Sequence, residues 1–128
     1  MTRPRTIPEG FPKIVCLCGS TKLMKNEFVT VNRDETLKGN VVVSVGVDMR
    51  DEFFAKSTKE EKEEIKDKLD CLHRRKIDLA DEVIILKNKD HELGESTSRE
   101  KTYAENTGKP IRILEFLQPS LKEPTNGS

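Results

Sequence analysis

The feature that most constrains the fold is an alternation of two kinds of segment through the middle of the chain. Short runs rich in β-branched apolar residues lie at 14–18, 41–45, 82–86 and 111–115. The charged stretches between them carry apolar residues with a helical period. Runs of this length predict buried strands, and the intervening stretches are long enough for helical crossovers. The sequence therefore predicts a single α/β domain with a parallel sheet.

The connections also predict the strand order and the edge of the sheet at which a ligand would bind. Right-handed crossovers place the second strand on one side of the first, and the third and fourth on the other, which gives the order 2-1-3-4. This is a doubly wound arrangement of the flavodoxin-like or Rossmann-like kind. Ligands of such sheets bind beyond the carboxyl ends of the strands where the order reverses, here between the first and third strands.

Three helices are expected in the connections. The first ends near Gly39 and has apolar residues spaced for one face: Met24, Phe28 and Val31. The second begins with a capping box at Ser57 and Glu60 and turns an apolar row inward: Ile65, Leu69, Leu72 and Ile77. The third is expected to be capped by Ser96 and to end at Gly108.

Charge and hydropathy exclude several classes of partner. The 128 residues carry 23 basic and 23 acidic side chains, whereas proteins that follow a nucleic-acid polymer usually show a basic excess on one face. The longest apolar runs are far shorter than the roughly 20 residues of a membrane helix, and no signal-peptide core is visible. We therefore expect a cytoplasmic protein, with loose tails at 1–12 and 119–128 around a domain at 13–118.

The three cysteines predict reduced thiols and no metal site. Cys16 and Cys18 alternate inside an apolar run, so that both face the same side of a strand, and Cys71 lies far away in sequence. They are expected to behave as small buried hydrophobes. Neither a Cys-x-x-Cys spacing nor a second Cys/His pair is present, which disfavours zinc, and no cofactor is expected.

Polar residues that could bind a ligand follow the first three predicted strands. The loop after the first strand offers groups that suit a phosphate, namely Gly19, Ser20, Thr21 and Lys22. The loop after the second strand offers Asp48, which could contact a base. The third loop offers small and hydroxyl residues at a helix start, namely Gly94, Ser96 and Ser98. A helix N-terminus favours an anion and keeps a nearby Glu100 ionised. Each feature also has a structural interpretation: a turn and cap at Gly19 and Ser20, and a surface carboxylate at Glu100.

Four motifs together resemble the nucleoside 2-deoxyribosyltransferase superfamily, which includes nucleoside 5′-monophosphate N-glycosidases. They are residues 16–21 (CLCGST), 76–84 (KIDLADEVI), 94–104 (GESTSREKTYA) and 108–110 (GKP). The resemblance implies cleavage of an N-glycosidic bond in a nucleoside or its 5′-monophosphate, with Glu100 attacking the anomeric carbon. It also implies that the serine-rich loops hold the 5′-phosphate, and that the protein is a homodimer or a higher homo-oligomer.

The chain departs from the pattern of this superfamily at two positions. Cys16 stands where a Tyr commonly orients the nucleophile, and His73 stands where an Asp assists the departing base. Histidine can donate a proton near neutral pH, so His73, or else Asp48, is the candidate acid, while Asp78 and Asp81 are interpreted as structural. The alternative is a non-catalytic nucleotide-binding protein that keeps the phosphate loops without the chemistry.

Overall fold

The structure, a computed structural model, describes residues 12–20, 23–44 and 54–117. Strands and helices alternate along the chain as follows: β1 (Ile14–Cys18), α1 (Lys25–Leu37), β2 (Val41–Val43), α2 (Lys59–Leu79), β3 (Glu82–Asn88), α3 (Glu95–Asn106) and β4 (Ile111–Phe116). All three strand pairings are parallel, and the order is β2-β1-β3-β4. The predicted α/β domain and its strand order are confirmed.

The helices cover both faces of the sheet, as the doubly wound arrangement requires. One buried cluster packs α1 against one face: Val15, Leu17, Met24, Val31, Ile84 and Leu86. A second cluster packs α2 and α3 against the opposite face: Cys16, Cys18, Ile77, Ala80, Val83, Ile85 and Ala104. Successive residues of a strand point to opposite faces, and for this reason the cysteines of β1 belong to the α2–α3 side while Leu17 belongs to the α1 side.

Several local details differ from the sequence expectations. The capping box lies one residue later than predicted: Thr58 caps α2, and its partner is Glu61. Leu72 is 56% exposed instead of facing inward, because the inward row with a spacing of four residues continues from Leu69 through His73. Strand β2 is shorter than predicted and ends at Val43, whereas β3 and β4 are longer than predicted.

A buried ionic cluster ties α1 to the edge strand β4. Glu35 is 2% exposed, and Arg112 of β4 lies 3.3 Å from it and 2.9 Å from Glu82 of β3. Burial opposes ionisation, but hydrogen bonds lower the pKa of Glu35 to about 2; the donors are Lys38, Asn40 and Arg112. The cluster fixes the carboxyl end of the first helix on the sheet.

Among the described residues, no helix is both long enough and apolar enough to cross a membrane.

Asp78 and Asp81, interpreted as structural, both have structural partners. Asp78 accepts a hydrogen bond of 2.7 Å from Tyr103 Oη, and Asp81 accepts one of 2.8 Å from the backbone N–H of Ile14. These contacts join α2 to α3 and the start of β1 to the start of β3.

Candidate functional site

Glu100 and His73, the two predicted catalytic residues, lie against each other. His73 Nε2 is 3.7 Å from Glu100 Oε1 and 3.3 Å from Cys18 Sγ. Cys18 is the last residue of the central strand β1, so the group lies at the carboxyl end of the sheet. This is the edge at which the strand order predicts a ligand.

The helical period brings both side chains inward. In α2, His73 and Ile77 are four residues apart and both are buried, so they share the face that packs on the sheet. In α3, Thr97 and Ala104 are buried, and Glu100 lies between them on the same face. The Glu100 side chain keeps 15% exposure, whereas that of His73 keeps 4%. Glu100 is therefore the member of the pair that solvent or a substrate can reach.

The two thiols of β1 complete the group around the imidazole. Both cysteines are fully buried, and Cys16 Sγ is 4.0 Å from His73 Nε2. A hydrogen bond from Cys18 lowers the pKa of Cys16 to about 6, against the effect of burial. The same hydrogen bond, together with burial, raises the pKa of Cys18. The two thiols are therefore coupled, and loss of the proton from Cys16 makes loss of the proton from Cys18 less favourable.

Glu100 and His73 both titrate above their ordinary ranges. Burial raises the pKa of Glu100. The charge of His73 and the hydrogen bond with Cys18 lower it by a smaller amount. Burial alone would lower the pKa of His73, but its net direction is upward because the hydrogen bond with Cys16 and the charge of Glu100 favour the imidazolium. Each of the two groups thus makes the charged form of the other less costly.

A cleft of about 230 Å³ lies between the loop after β1 and the loop after β3, and neither Glu100 nor His73 is among the residues that line it. Ser20, Gly94 and Thr97 are among the residues that line it. Gly94 is the N-cap of α3 and makes no side-chain cap, so the expectation that Ser96 caps this helix is wrong. Among the described residues no side chain caps α3, which leaves its first N–H groups for other acceptors, as at helix ends that bind anions.

The structure places the other predicted ligand-binding residues in different surroundings. Ser96 lines a second, small hollow together with Glu100, and this hollow also includes Arg74 and Arg99. Ser98 is exposed and lines neither hollow. Ser20 accepts a hydrogen bond of 3.2 Å from the backbone N–H of Leu23, which is the turn interpretation of this residue. The remaining three predicted residues, Thr21, Lys22 and Asp48, lie outside the described residues.

Gly19 allows the close approach of two strands at this edge. A Cβ atom at this position would lie 2.9 Å from the carbonyl oxygen of Leu86 and 3.2 Å from its Cβ. The end of β1 can therefore lie directly against β3 only because residue 19 has no side chain. The site thus needs glycine here for a steric reason, whatever ligand is bound.

Sequence reasoning missed some residues of the site. The contact of Cys18 with His73 joins positions 55 residues apart, and no local pattern signals it. The row Ile65, Leu69, His73 and Ile77 does have a regular spacing of four, and this could have predicted the inward position of His73. Arg74 and Arg99 gave no signal that separates them from other surface cations.

Comparison with known proteins assigns no family to this chain. No protein-family model matches this chain, and a search of curated proteins finds no match. The parallel four-stranded α/β sheet of order 2-1-3-4 is the established part of the resemblance. The catalytic assignment rests on the motifs and on the geometry of the Glu100 and His73 pair.

Proposed function

We propose that this protein cleaves the N-glycosidic bond of a nucleoside 5′-monophosphate or a nucleoside, with Glu100 as the nucleophile. One observation carries the proposal: a partly buried carboxylate lies 3.7 Å from a buried imidazole at the carboxyl end of the central strand. Glycoside cleavage passes through an oxocarbenium-like transition state, which a fixed anion below the sugar stabilises. The fold agrees with a nucleotide site at this edge.

The contact between the two side chains favours the charge states that the reaction needs, although burial of Glu100 opposes its ionisation. Glu100 must be an anion to attack the anomeric carbon, and His73 must be protonated to donate to a departing base. Because the two groups lie 3.7 Å apart, the anion and the cation stabilise each other. Although burial raises the pKa of Glu100, the nearby imidazolium offsets part of that cost.

The proposed reaction has two balanced steps. In the first, a Glu100 oxygen bonds to the anomeric carbon while the bond from that carbon to the base nitrogen breaks, and the base leaves with a proton from His73. In the second, water attacks the same carbon, its proton returns to His73, and the glycosyl ester releases Glu100. Transfer to a second base instead of water would use the same intermediate.

The cleft supports a substrate with a 5′-phosphate. Gly94 and Thr97 line the cleft at the start of α3, and Glu100 follows Thr97 by three residues, about 4.5 Å along a helix axis. A phosphate at the uncapped N-terminus would receive backbone N–H groups and the positive end of the helix dipole. The sugar ring would then extend toward Glu100.

A non-catalytic nucleotide-binding protein is the second candidate. The burial of His73 favours it: the side chain is only 4% exposed, and its Nε2 already contacts Cys18. A departing base would reach this nitrogen only if neighbouring groups moved. In this alternative, the cleft binds the nucleotide while the pair of Glu100 and His73 serves only to hold α2 and α3 on the sheet.

One experiment separates the two candidates. Purified protein is incubated with ribo- and deoxyribonucleoside 5′-monophosphates and a chelator, and free base is measured by chromatography. We expect release from one nucleotide, and its loss in Glu100→Gln. Glu105→Gln is the matched control, because Glu105 lies in the last turn of the same helix with its side chain 50% exposed. Thermal stabilisation by a nucleotide without release of any base would favour the binding protein.

The same resemblance leads us to propose a homo-oligomer. Exposed apolar side chains on two helices are consistent with a protein contact: Val29 and Leu37 on α1, and Leu72 and Leu79 on α2. Light scattering on the purified chain would test this, and the mass of a single chain at micromolar concentration would contradict it.

A further inference from the structure

Two thiols, an imidazole and a carboxylate converge at the carboxyl end of β1. The sulfur atoms of Cys16 and Cys18 and a ring nitrogen of His73 lie within 4.8 Å of one another, and all three residues are buried. Glu100 adds a carboxylate oxygen 3.7 Å from the same imidazole. We propose that this cluster binds one thiophilic divalent cation through Cys16 Sγ, Cys18 Sγ and His73 Nε2, and that the Glu100 carboxylate, which lies outside this group of three, moves in as the fourth ligand.

The distances are close to those of a tetrahedral centre. Zinc bonds of about 2.3 Å to sulfur and about 2.0 Å to nitrogen or oxygen place tetrahedral ligands about 3.6 Å apart for a sulfur–nitrogen pair, and about 3.3 Å apart for a nitrogen–oxygen pair. The corresponding distances here are 3.3 Å from Cys18 Sγ to His73 Nε2, 4.0 Å from Cys16 Sγ to the same nitrogen, and 3.7 Å from that nitrogen to Glu100 Oε1. These three pairs therefore need to move by less than about 0.5 Å. The Glu100 carboxylate lies outside the group of donors within 4.8 Å of one another and needs a larger movement toward the sulfur atoms.

The donor set selects the class of ion. Thiolate and imidazole ligands suit zinc and other soft or borderline ions, whereas magnesium and calcium need oxygen ligands. Both thiols lose their protons to solvent when the ion binds. Together, two thiolates, one carboxylate, a neutral imidazole and a divalent cation carry a single net negative charge. Burying this complex costs less free energy than burying the separate charges.

The sequence expectation of no metal considered only the local spacing of cysteines and histidines. Cys-x-Cys supplies two donors from one face of a strand because alternate residues share a face. The third and fourth donors come from α2 and α3, at separations that no short motif contains. The fold, and not a local motif, therefore brings the donors together.

The surroundings of the second ring nitrogen of His73 predict that the bound ion dissociates readily. His73 Nδ1 is buried and has no hydrogen-bond partner among the described residues. Metal-bound imidazoles usually donate this N–H to an acceptor, which raises their affinity for the ion. Without that contact, we expect weaker binding than in structural zinc sites.

Metal binding and base release exclude each other if the proposed function holds. A coordinated Glu100 cannot attack a sugar, and a coordinated His73 Nε2 cannot carry a proton. This consequence rests on the proposed function, whereas the metal site itself does not. Zinc is therefore expected to stop base release reversibly, with recovery when a chelator is added.

Cobalt(II) spectroscopy tests the site without any nucleotide. The metal-free full chain is titrated with Co²⁺, and we expect a thiolate-to-cobalt charge-transfer band and intense tetrahedral visible bands, complete at one ion per chain and abolished by Zn²⁺. Cys18→Ser and His73→Gln should bind at least about tenfold more weakly. The matched controls, Cys71→Ser and His91→Gln, change an exposed cysteine and an exposed histidine and should bind as the wild type does.

Several outcomes would overturn the metal site. Absence of the charge-transfer band in the folded wild type is one, and loss of the band in Cys71→Ser is another, since that would assign it to adventitious surface binding. Glu100→Gln supplies a second ligand variant if a core substitution does not fold, and an unchanged spectrum would remove Glu100 from the ligand set. Base release by the metal-free protein with no cobalt bands would reject the metal site and keep the enzyme; bands without base release would do the reverse.

Discussion

Glu100→Gln should lower the pKa of His73 by an amount that the structure sets. The substitution removes a charge but keeps the size of the side chain. At the 3.7 Å that separates Nε2 from Oε1, two unit charges interact by about 1 kcal/mol in water and by about 4 kcal/mol at an effective dielectric constant of about 20. Division by 1.36 kcal/mol gives a fall of about 1 to 3 pH units.

NMR titration of the imidazole carbon and nitrogen signals measures this change directly. The exposed ring of His91 provides a reference signal in the same spectra, and Glu95→Gln provides the control for removing a carboxylate from α3. An equal or higher pKa of His73 in folded Glu100→Gln would refute the ion pair. It would also remove the electrostatic argument for Glu100 as a stabilised nucleophile.

The raised pKa values of the same pair predict that the free energy of unfolding depends on pH. The pKa values of Glu100 and His73 are raised from 4.5 and 6.5. The stability that each contributes is therefore fully present below its unfolded pKa and is lost as the pH rises through its folded pKa. Stability from this pair should fall from about pH 4.5 upward, and urea unfolding of the wild type against Glu100→Gln should show a steeper fall in the wild type.

Three further predictions concern the framework of the site. Gly19→Ala should destabilise the fold by about 1–3 kcal/mol, because its Cβ would meet the carbonyl oxygen of Leu86 at 2.9 Å; an unchanged urea midpoint would contradict the close approach. Arg112→Met should cost about 2–4 kcal/mol, since it leaves the buried Glu35 without its guanidinium; a neutral result by calorimetry would show that the remaining donors suffice. The pKa of Glu35 is lowered to about 2, so its contribution, present above pH 4.5, should be lost as the pH falls toward 2. Arg112→Met should weaken that acid dependence, and identical acid profiles would be the contrary result.

The fold could be predicted from the sequence because each strand and helix carries its own signal. Short β-branched runs, helical periods and right-handed crossovers determined the strand order without any long-range information. The error in the capping box of α2 arose because two neighbouring residues offer the same chemistry. Ser57 and Thr58 each have a glutamate three residues later, and Thr58 is the one that caps α2.

The site could be predicted only in part. The polar residues after the strands indicated the edge of the sheet at which Glu100 and His73 lie in contact, and these two residues were selected from motifs. Their contact depends on how α2 and α3 pack, which no local pattern determines. The same limit applies to Gly94, since the N-cap residue of α3 depends on backbone geometry and the serines beside it are equally suitable by composition.

The cluster around His73 is the place where the local rules of folding and the observed structure disagree. Among the described residues outside this cluster, the buried side chains are apolar except for Glu35, Asn88 and Thr97. Apolar residues of similar volume at Cys18, His73 and Glu100 would avoid the cost of burying ionisable groups. His73 even keeps a buried ring nitrogen without a partner among the described residues. Natural proteins usually depart from such consistency where function requires it. We propose one physical explanation for the raised pKa of Glu100, for the two thiols and for the His73 nitrogen that has no partner among the described residues: this end of β1 is arranged to meet a ligand or an ion, at a cost in stability to the free protein.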